Sequence, residues 1–166
     1  MDMTDSKQTS FGWVSKKVYD ELCKAGWSPD RNVSATSDSF SEAWGSEWVP
    51  AATSFLRNFS GLSFYGRLWV WNKPIKDQDI TAAREKISDV AGSRVIPVAS
   101  SSFIGDGCLI WIDECGRYYA VDSEGMVFIA SDMAAALEVL LGEKSLPEPP
   151  PELKEKLAAA YEWGSE

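Results

Sequence analysis

Three short apolar runs separated by acidic turns constrain the fold of this chain more than any other feature. The runs cover residues 108–112, 118–121 and 127–130, and the first is apolar throughout, as in a central strand. The gaps between them are Asp113-Glu114-Cys115-Gly116 and Asp122-Ser123-Glu124-Gly125, which have the composition of tight turns. The pattern predicts a three-stranded antiparallel meander.

Five other segments have the spacing of amphipathic helices. Their apolar residues recur at intervals of three and four, starting from Val14, Ala52, Ile80, Met133 and Leu153. Two further strands are predicted over residues 62–71 and 95–98, and Pro97 marks the second as an edge or an end of the sheet. Because the strands cluster apart from the helices, we expect an α+β fold with a central antiparallel sheet flanked by helices.

The length of 166 residues and the hydrophobic content of 45% fit one folded domain. Residues 1–10 are predicted to be a loose leader and residues 11–145 the main domain. Residues 146–166 combine a proline-rich linker with a last helix. The leader carries no apolar signal segment, and no run approaches the roughly 20 apolar residues of a membrane span. We therefore expect a cytoplasmic protein with no membrane partner.

The net charge of −9 comes from the last third of the chain. Residues 1–100 carry 12 acidic and 12 basic side chains, whereas residues 101–166 carry 13 acidic and 4 basic. An anionic surface favours a basic protein partner and repels nucleic acid. Successive hairpin turns lie at opposite ends of a sheet, so two acidic patches are expected. The candidate partner-binding residues are Asp106, Asp122 and Glu124 in one patch, and Asp113, Glu114 and Asp132 in the other.

Residue types that support catalysis are scarce. The chain has no histidine, and this removes the commonest acid–base group at neutral pH and a common metal ligand. Its cysteines lack metal-ligand spacing, and we expect Cys23 and Cys108 to be buried thiols. We predict no catalytic residue, no metal and no cofactor. One catalytic alternative is a hydrolase with two carboxylates about 5–10 Å apart in a cleft.

Eight tryptophans are many for a chain of this length. Most are expected in the core, because large aromatic side chains dominate core burial. Any tryptophan that stays exposed is a candidate anchor for a partner. Trp27 and Arg31 are expected to be structural and to fix the exit of the chain from its first helix.

Several segments together follow the motif order of a known family. They are Leu22-Cys23-Lys24-Ala25-Gly26-Trp27-Ser28-Pro29-Asp30-Arg31, residues 55–62 (FLRNFSGL), Ile96-Pro97-Val98, Asp106-Gly107, residues 109–113, Gly116-Arg117-Tyr118-Tyr119 and residues 134–141. Over roughly residues 11–145 they resemble the SUKH immunity proteins, third subgroup. Two departures are Ala99, where a glycine is usual, and Cys115 within the acidic turn.

The resemblance implies an α+β fold with a central antiparallel sheet and the role of a bacterial immunity protein. Such proteins are encoded beside polymorphic or contact-dependent toxins and neutralise nuclease or deaminase domains by direct binding. An acidic surface fits this role, because a toxin that acts on nucleic acid needs a basic cleft. Other relatives are fungal regulators and viral proteins, so a regulatory or adaptor module is the alternative. We expect a monomer or weak dimer.

Overall fold

The molecule is built on one antiparallel sheet whose strands follow the order of the chain. The computed structural model describes residues 13–64, 67–102, 107–142 and 144–160. In them, six strands pair in sequence order, and each neighbouring pair is antiparallel. The strands are β1 Ser63–Phe64, β2 Leu68–Val70, β3 Val95–Ser101, β4 Cys108–Asp113, β5 Tyr118–Val121 and β6 Met126–Ala130.

Helices flank this sheet in the described residues. They are α1 Lys16–Lys24, α2 Ser34–Trp44, α3 Thr53–Phe59, α4 Gln78–Ala91, α5 Met133–Leu140 and α6 Pro151–Ala160, with 3-10 turns at Gly45–Glu47 and Pro50–Ala52. Side-chain caps begin several of them: the Asp77 carboxylate accepts from the Ile80 amide at the start of α4 at 2.8 Å. Gly92 ends that helix with a φ of 72°, a conformation that glycine adopts without steric cost.

The α+β class is confirmed, but the sheet is larger than the predicted meander. The three predicted strands correspond to β4, β5 and β6, and the same meander continues through β3 to β1. The single strand predicted over 62–71 is wrong, because Phe64 pairs with Leu68 and the segment is a hairpin of two short strands. Alternating hydrophobicity does not show this, since the period of two holds on both sides of the turn.

Strand β3 lies inside the sheet, so its prediction as an edge or an end is wrong, although β2 does not extend as far as Pro97. Pro97 pairs with Trp111 of β4, while β2 pairs with β3 from Ala99 onward. The register shifts between Pro97 and Ala99. Such a bulge is where a sheet accommodates a residue that has no amide hydrogen to donate.

Helices cover both faces of the sheet. On one face, called the α3 face, the ring of Phe55 packs at 5.6 Å from that of Tyr118. Trp27, in the loop after α1, packs between Tyr19 of α1 and Phe59 of α3. On the opposite face, called the α6 face, Arg117 reaches Glu152 in the first turn of α6. Helix α4 packs on β3 and on α6, so it lies on the α6 face as well.

Helix α2 has no counterpart in the sequence prediction. Its sequence, SATSDSFSEAW, is rich in serine and threonine, which favour caps and turns over helix interiors. Phe40 and Trp44 are four residues apart and are both buried. Packing against α3 therefore stabilises a helix of weak propensity.

Helix α6 folds back onto the body of the protein. Leu153, Leu157 and Ala160 are buried, and the helix contacts β6 as well as α4. The proline-containing segment before it thus returns the chain to the sheet. Tyr161 and Trp163, at the end of the sequence, lie outside the described residues.

Trp27 and Arg31 have the structural positions expected of them. Trp27 is buried, and Arg31 donates from Nη2 to the carbonyl of Ser60 at 2.5 Å, which ties the loop after α1 to the end of α3. Cys108 is buried as predicted, but Cys23 is exposed. The buried face of α1 is formed by Val18 and Leu22, and the residue after Leu22 turns about 100° away from it.

Candidate partner-binding surface

The meander separates the acidic turns into two groups. The turn 122–125 lies at the end of the sheet where β3 ends and β4 begins, here called the Asp122 end. The turn after β4, with Asp113 and Glu114, lies at the opposite end, called the Asp113 end. Strand β6 ends at Ala130, which pairs with Tyr118 next to the end of β4, so the chain leaves β6 towards Asp132 at this second end. The division into two ends agrees with the topology predicted from the sequence.

Asp113 is not on the surface. Its side chain is 0% exposed and accepts four hydrogen bonds. Oδ1 accepts from the amides of Cys115 and Arg117, each at 2.9 Å. Oδ2 accepts from Arg117 Nε at 3.0 Å and from Tyr119 Oη at 2.8 Å. These bonds fill the acceptor capacity of the carboxylate, so Asp113 holds the β4–β5 turn together and presents no charge to a partner.

Tyr119 is held in its donor form beside Asp113. Burial raises the pKa of the Tyr119 phenol, and the negative charge of Asp113 raises it further. Burial likewise raises the pKa of Tyr118 on the other face of β5. Both phenols therefore keep their protons across the physiological pH range, and Tyr119 remains a hydrogen-bond donor to the carboxylate.

Glu114 is exposed but paired. Its carboxylate accepts from Arg94 Nε at 2.7 Å and from the Arg94 amide at 3.1 Å, and it also contacts Arg94 Nη2. These hydrogen bonds lower the pKa of Glu114. Arg94 comes just before β3, which the meander brings next to the end of β4. The Asp113 end therefore has two of its carboxylates matched by Arg94 and Arg117.

Asp122 and Glu124 have no cationic partner among the described residues. Asp122 Oδ1 accepts from the amides of Glu124 at 2.8 Å and Gly125 at 3.1 Å, which shapes the turn. The Glu124 side chain is exposed and makes no ion pair in the described chain. Asp106, the third residue predicted here, lies outside the described residues. Arg67, in the β1–β2 turn, lies at this same end of the sheet, because its carbonyl accepts from the Ser101 hydroxyl at the end of β3 at 2.6 Å.

Asp132 is exposed and caps α5. Its Oδ1 accepts from the Ala135 amide at 2.8 Å, and the carboxylate lies at the positive end of the helix dipole. It has no cationic partner within the described segments. Asp132 thus serves the helix and also leaves a charge at the Asp113 end.

Two open clefts bear on the catalytic alternative. One, of about 470 Å³, lies between α1 and the β1–β2 hairpin, and Glu21 is the only carboxylate among the described residues that line it. The other, of about 560 Å³, lies beside α3, and its one carboxylate from the described part of the chain is Asp30. A hydrogen bond from the Ser28 hydroxyl lowers the pKa of Asp30, the direction opposite to that of a general acid. Within residues 13–64, 67–102, 107–142 and 144–160, neither cleft brings together the carboxylate pair that a hydrolase of this kind requires.

The described segments lack two further features. No cluster of three or more cysteine, aspartate and glutamate side chains there could hold a metal ion. None of the helices there combines the length and the apolarity needed to cross a bilayer.

The two arginines that neutralise carboxylates at the Asp113 end were not identified from the sequence. Arg117 follows Asp113 by four residues, and this spacing across a tight turn is a usable signal. Arg94 is twenty residues from Glu114 and becomes its neighbour only through the pairing of β3 with β4. No local pattern could have identified it.

These features define a class of protein, an α+β domain with a sequential antiparallel sheet and an unpaired acidic turn at one end. Comparison with protein families matches residues 14–143 to the SUKH-3 immunity protein family. The chain belongs to this family. No curated protein and no solved structure matches it. Helix α6 lies beyond the matched residues.

Proposed function

We propose that this chain is an immunity protein that binds and neutralises the toxin domain encoded with it, a domain that acts on nucleic acid. Family membership supports the partner class. The observation that carries the proposal is the difference between the two sheet ends. Asp122 and Glu124 keep unpaired charges in the described chain, whereas Asp113 is enclosed and Glu114 is paired. The Asp122 end is therefore the proposed acidic surface, and Asp106 belongs to the same proposal from its place between β3 and β4.

The proposed mechanism is occupation of a cationic groove. A toxin that acts on nucleic acid presents lysine and arginine side chains to phosphates, and a carboxylate-bearing turn can take the same positions. Complementary charge also steers encounter, which raises association rates to about 10⁸ M⁻¹s⁻¹ at low salt. The inhibitor needs no cofactor and no catalytic step. It acts in the cytoplasm, where the target is, as a monomer or weak dimer.

Calorimetric titration against the purified C-terminal domain of the neighbouring gene's product tests this proposal. We expect tight one-to-one binding that weakens from low to moderate salt, because charges at the rim of an interface are screened. Absence of binding at either salt concentration would contradict the immunity function and would favour the adaptor alternative.

Charge-reversal variants locate the surface. Glu124→Lys changes an exposed, unpaired side chain, and we expect it to slow association about tenfold at low salt. Glu155→Lys is the matched control, since it reverses an exposed charge on α6, whose first turn lies near the Asp113 end. Equal association rates for the two variants would overturn the assignment of the surface to the Asp122 end.

A further inference from the structure

Trp69 is exposed in a way that its position in the sheet does not require. Its side chain is 53% accessible, more than any other large hydrophobic residue in the described segments. Its neighbours Leu68 and Val70 are buried on the α3 face, so Trp69 points to the α6 face. Four other tryptophans, at positions 27, 44, 71 and 111, are buried. A single exposed aromatic ring is common on protein surfaces, so the residues around it must show whether it belongs to a binding surface.

The strand register gives Trp69 two partly exposed neighbours. Trp69 pairs with Ser100 of β3, and Ser100 pairs with Leu109 of β4. Paired residues lie side by side on the same face, so these three form a continuous strip, here called the Trp69 ledge. Ser100 and Leu109 are half-buried. The Trp71 indole donates to the Ser100 hydroxyl at 2.9 Å, which fixes the middle of the ledge.

The same row of paired residues becomes buried towards β6. Leu109 pairs with Val121 and Val121 with Met126, and these two side chains are buried. Helix α6 packs on β6 and α4 on β3, so helices cover one part of the α6 face. The Trp69 ledge is the part of this row that stays accessible.

The ledge lies next to the proposed acidic surface. Val121 precedes Asp122, and Met126 follows the turn that carries Glu124. From Trp69 to Val121 the row crosses three strand spacings of about 4.8 Å, or roughly 14 Å. A standard protein interface of about 800 Å² per partner is about 30 Å across, so one partner domain spans both features.

We propose that the Trp69 ledge is the apolar anchor for the toxin domain, with Asp122 and Glu124 as its charged rim. This inference rests on the proposed function. An aromatic side chain at the centre and charges at the edge are the usual anatomy of a tight interface. The expected partner is a protein surface that has an apolar pocket beside lysine or arginine side chains. A second copy of this chain fits poorly, because both copies carry a net charge of −9 and repel each other.

Trp69→Ala tests the anchor, measured by calorimetry and by dissociation rate against the same purified toxin domain. We expect affinity to fall at least about 30-fold, as for a central aromatic hot spot, mainly through faster dissociation. The salt dependence should not change, because no charge is removed. Leu146→Ala is the matched control: it truncates another exposed apolar side chain, 43% accessible, and should bind normally.

Each contrary outcome has a distinct meaning. If the unmodified protein binds and Trp69→Ala binds equally well, the anchor is wrong and the immunity function stands. If the unmodified protein does not bind, both proposals fail. If sedimentation shows a dimer that Trp69→Ala dissociates, the ledge serves self-association and the proposed occupant is wrong. Thermal unfolding of the variant, expected to match the unmodified protein, separates these results from misfolding.

Discussion

Two adjacent carboxylates on one turn, Asp113 and Glu114, differ completely in their burial. Asp113 is enclosed by Arg117 and Tyr119, whereas Glu114 remains at the surface beside Arg94. Composition and charge counts treat the two residues alike. The surrounding side chains decide that the first stabilises the fold and that the second adds little, because exposed ion pairs contribute little to stability.

Removal of the Asp113 carboxylate should therefore be costly. Asp113→Ala leaves Arg117 and Tyr119 without their partner in a buried setting, and we expect a loss of about 3–5 kcal/mol in the free energy of unfolding. The control Glu114→Gln should lower the free energy of unfolding far less, because its ion pair is exposed to solvent. Denaturant unfolding of both variants measures the difference. Similar losses would show that the hydrogen bonds of Asp113 are not what holds the turn.

The pairing of Glu114 with Arg94 also predicts a pH dependence. Its pKa is lowered in the folded protein, so the ionised form is favoured there. Its contribution to stability is complete above the ordinary pKa and is lost as the pH falls through the lowered value. NMR titration should show Arg94→Gln raising the pKa of Glu114 towards its ordinary value. The control Arg84→Gln removes an arginine that pairs with Glu47 and should leave the pKa of Glu114 unchanged.

At the scale of elements, Asp132 both caps α5 and carries a charge, and two variants test these roles separately. Asp132→Ala removes the cap of α5 and should cost about 1 kcal/mol of stability, while Asp132→Asn keeps a capping oxygen and should restore it. The Asn variant lacks the charge. Chemical denaturation measures the cap, and a weaker affinity of the stable Asn variant for the toxin domain would extend the acidic surface to the Asp113 end.

Elements with a strong local signal were predicted, and those formed by tertiary packing were not. Strands β4, β5 and β6 are continuous apolar runs between turns, and α4 begins with a capping aspartate and ends with a glycine. Helix α2 is held by its buried Phe40 and Trp44 against α3, which its polar sequence does not show. The β1–β2 hairpin was hidden because alternation continues across its turn.

The candidate surface was predictable only in part. The topology of consecutive hairpins was enough to assign each acidic turn to an end of the sheet. Pairing with Arg94 and burial of Asp113 depend on contacts between distant segments, so charge counts overstated the acidity of the Asp113 end. Trp69 is one of eight tryptophans. Trp111 lies on the same face of the sheet and is buried, so only the packing of the helices distinguishes the exposed ring.

At the scale of the whole molecule, α6 is part of the fold although it lies beyond the family match. Leu157→Ala should lower the free energy of unfolding by about 2–5 kcal/mol, because a buried leucine leaves a cavity. Lys156→Ala, on the exposed side of the same helix, should change it by less than about 0.5 kcal/mol. A single unfolding transition in the circular dichroism signal would show that α6 melts with the sheet. A separate early transition would show that it does not.

A sheet whose strands pair in chain order also has consequences for how fast the protein forms. From β3 to β6 each strand meets the one made just before it, so pairing closes only short loops. Only the joining of β2 to β3 must span a helix. Chains with such local contacts fold faster than those with distant strand pairing. A newly synthesised copy of this inhibitor should therefore become competent soon after it leaves the ribosome, before a toxin made or imported at the same time has acted for long.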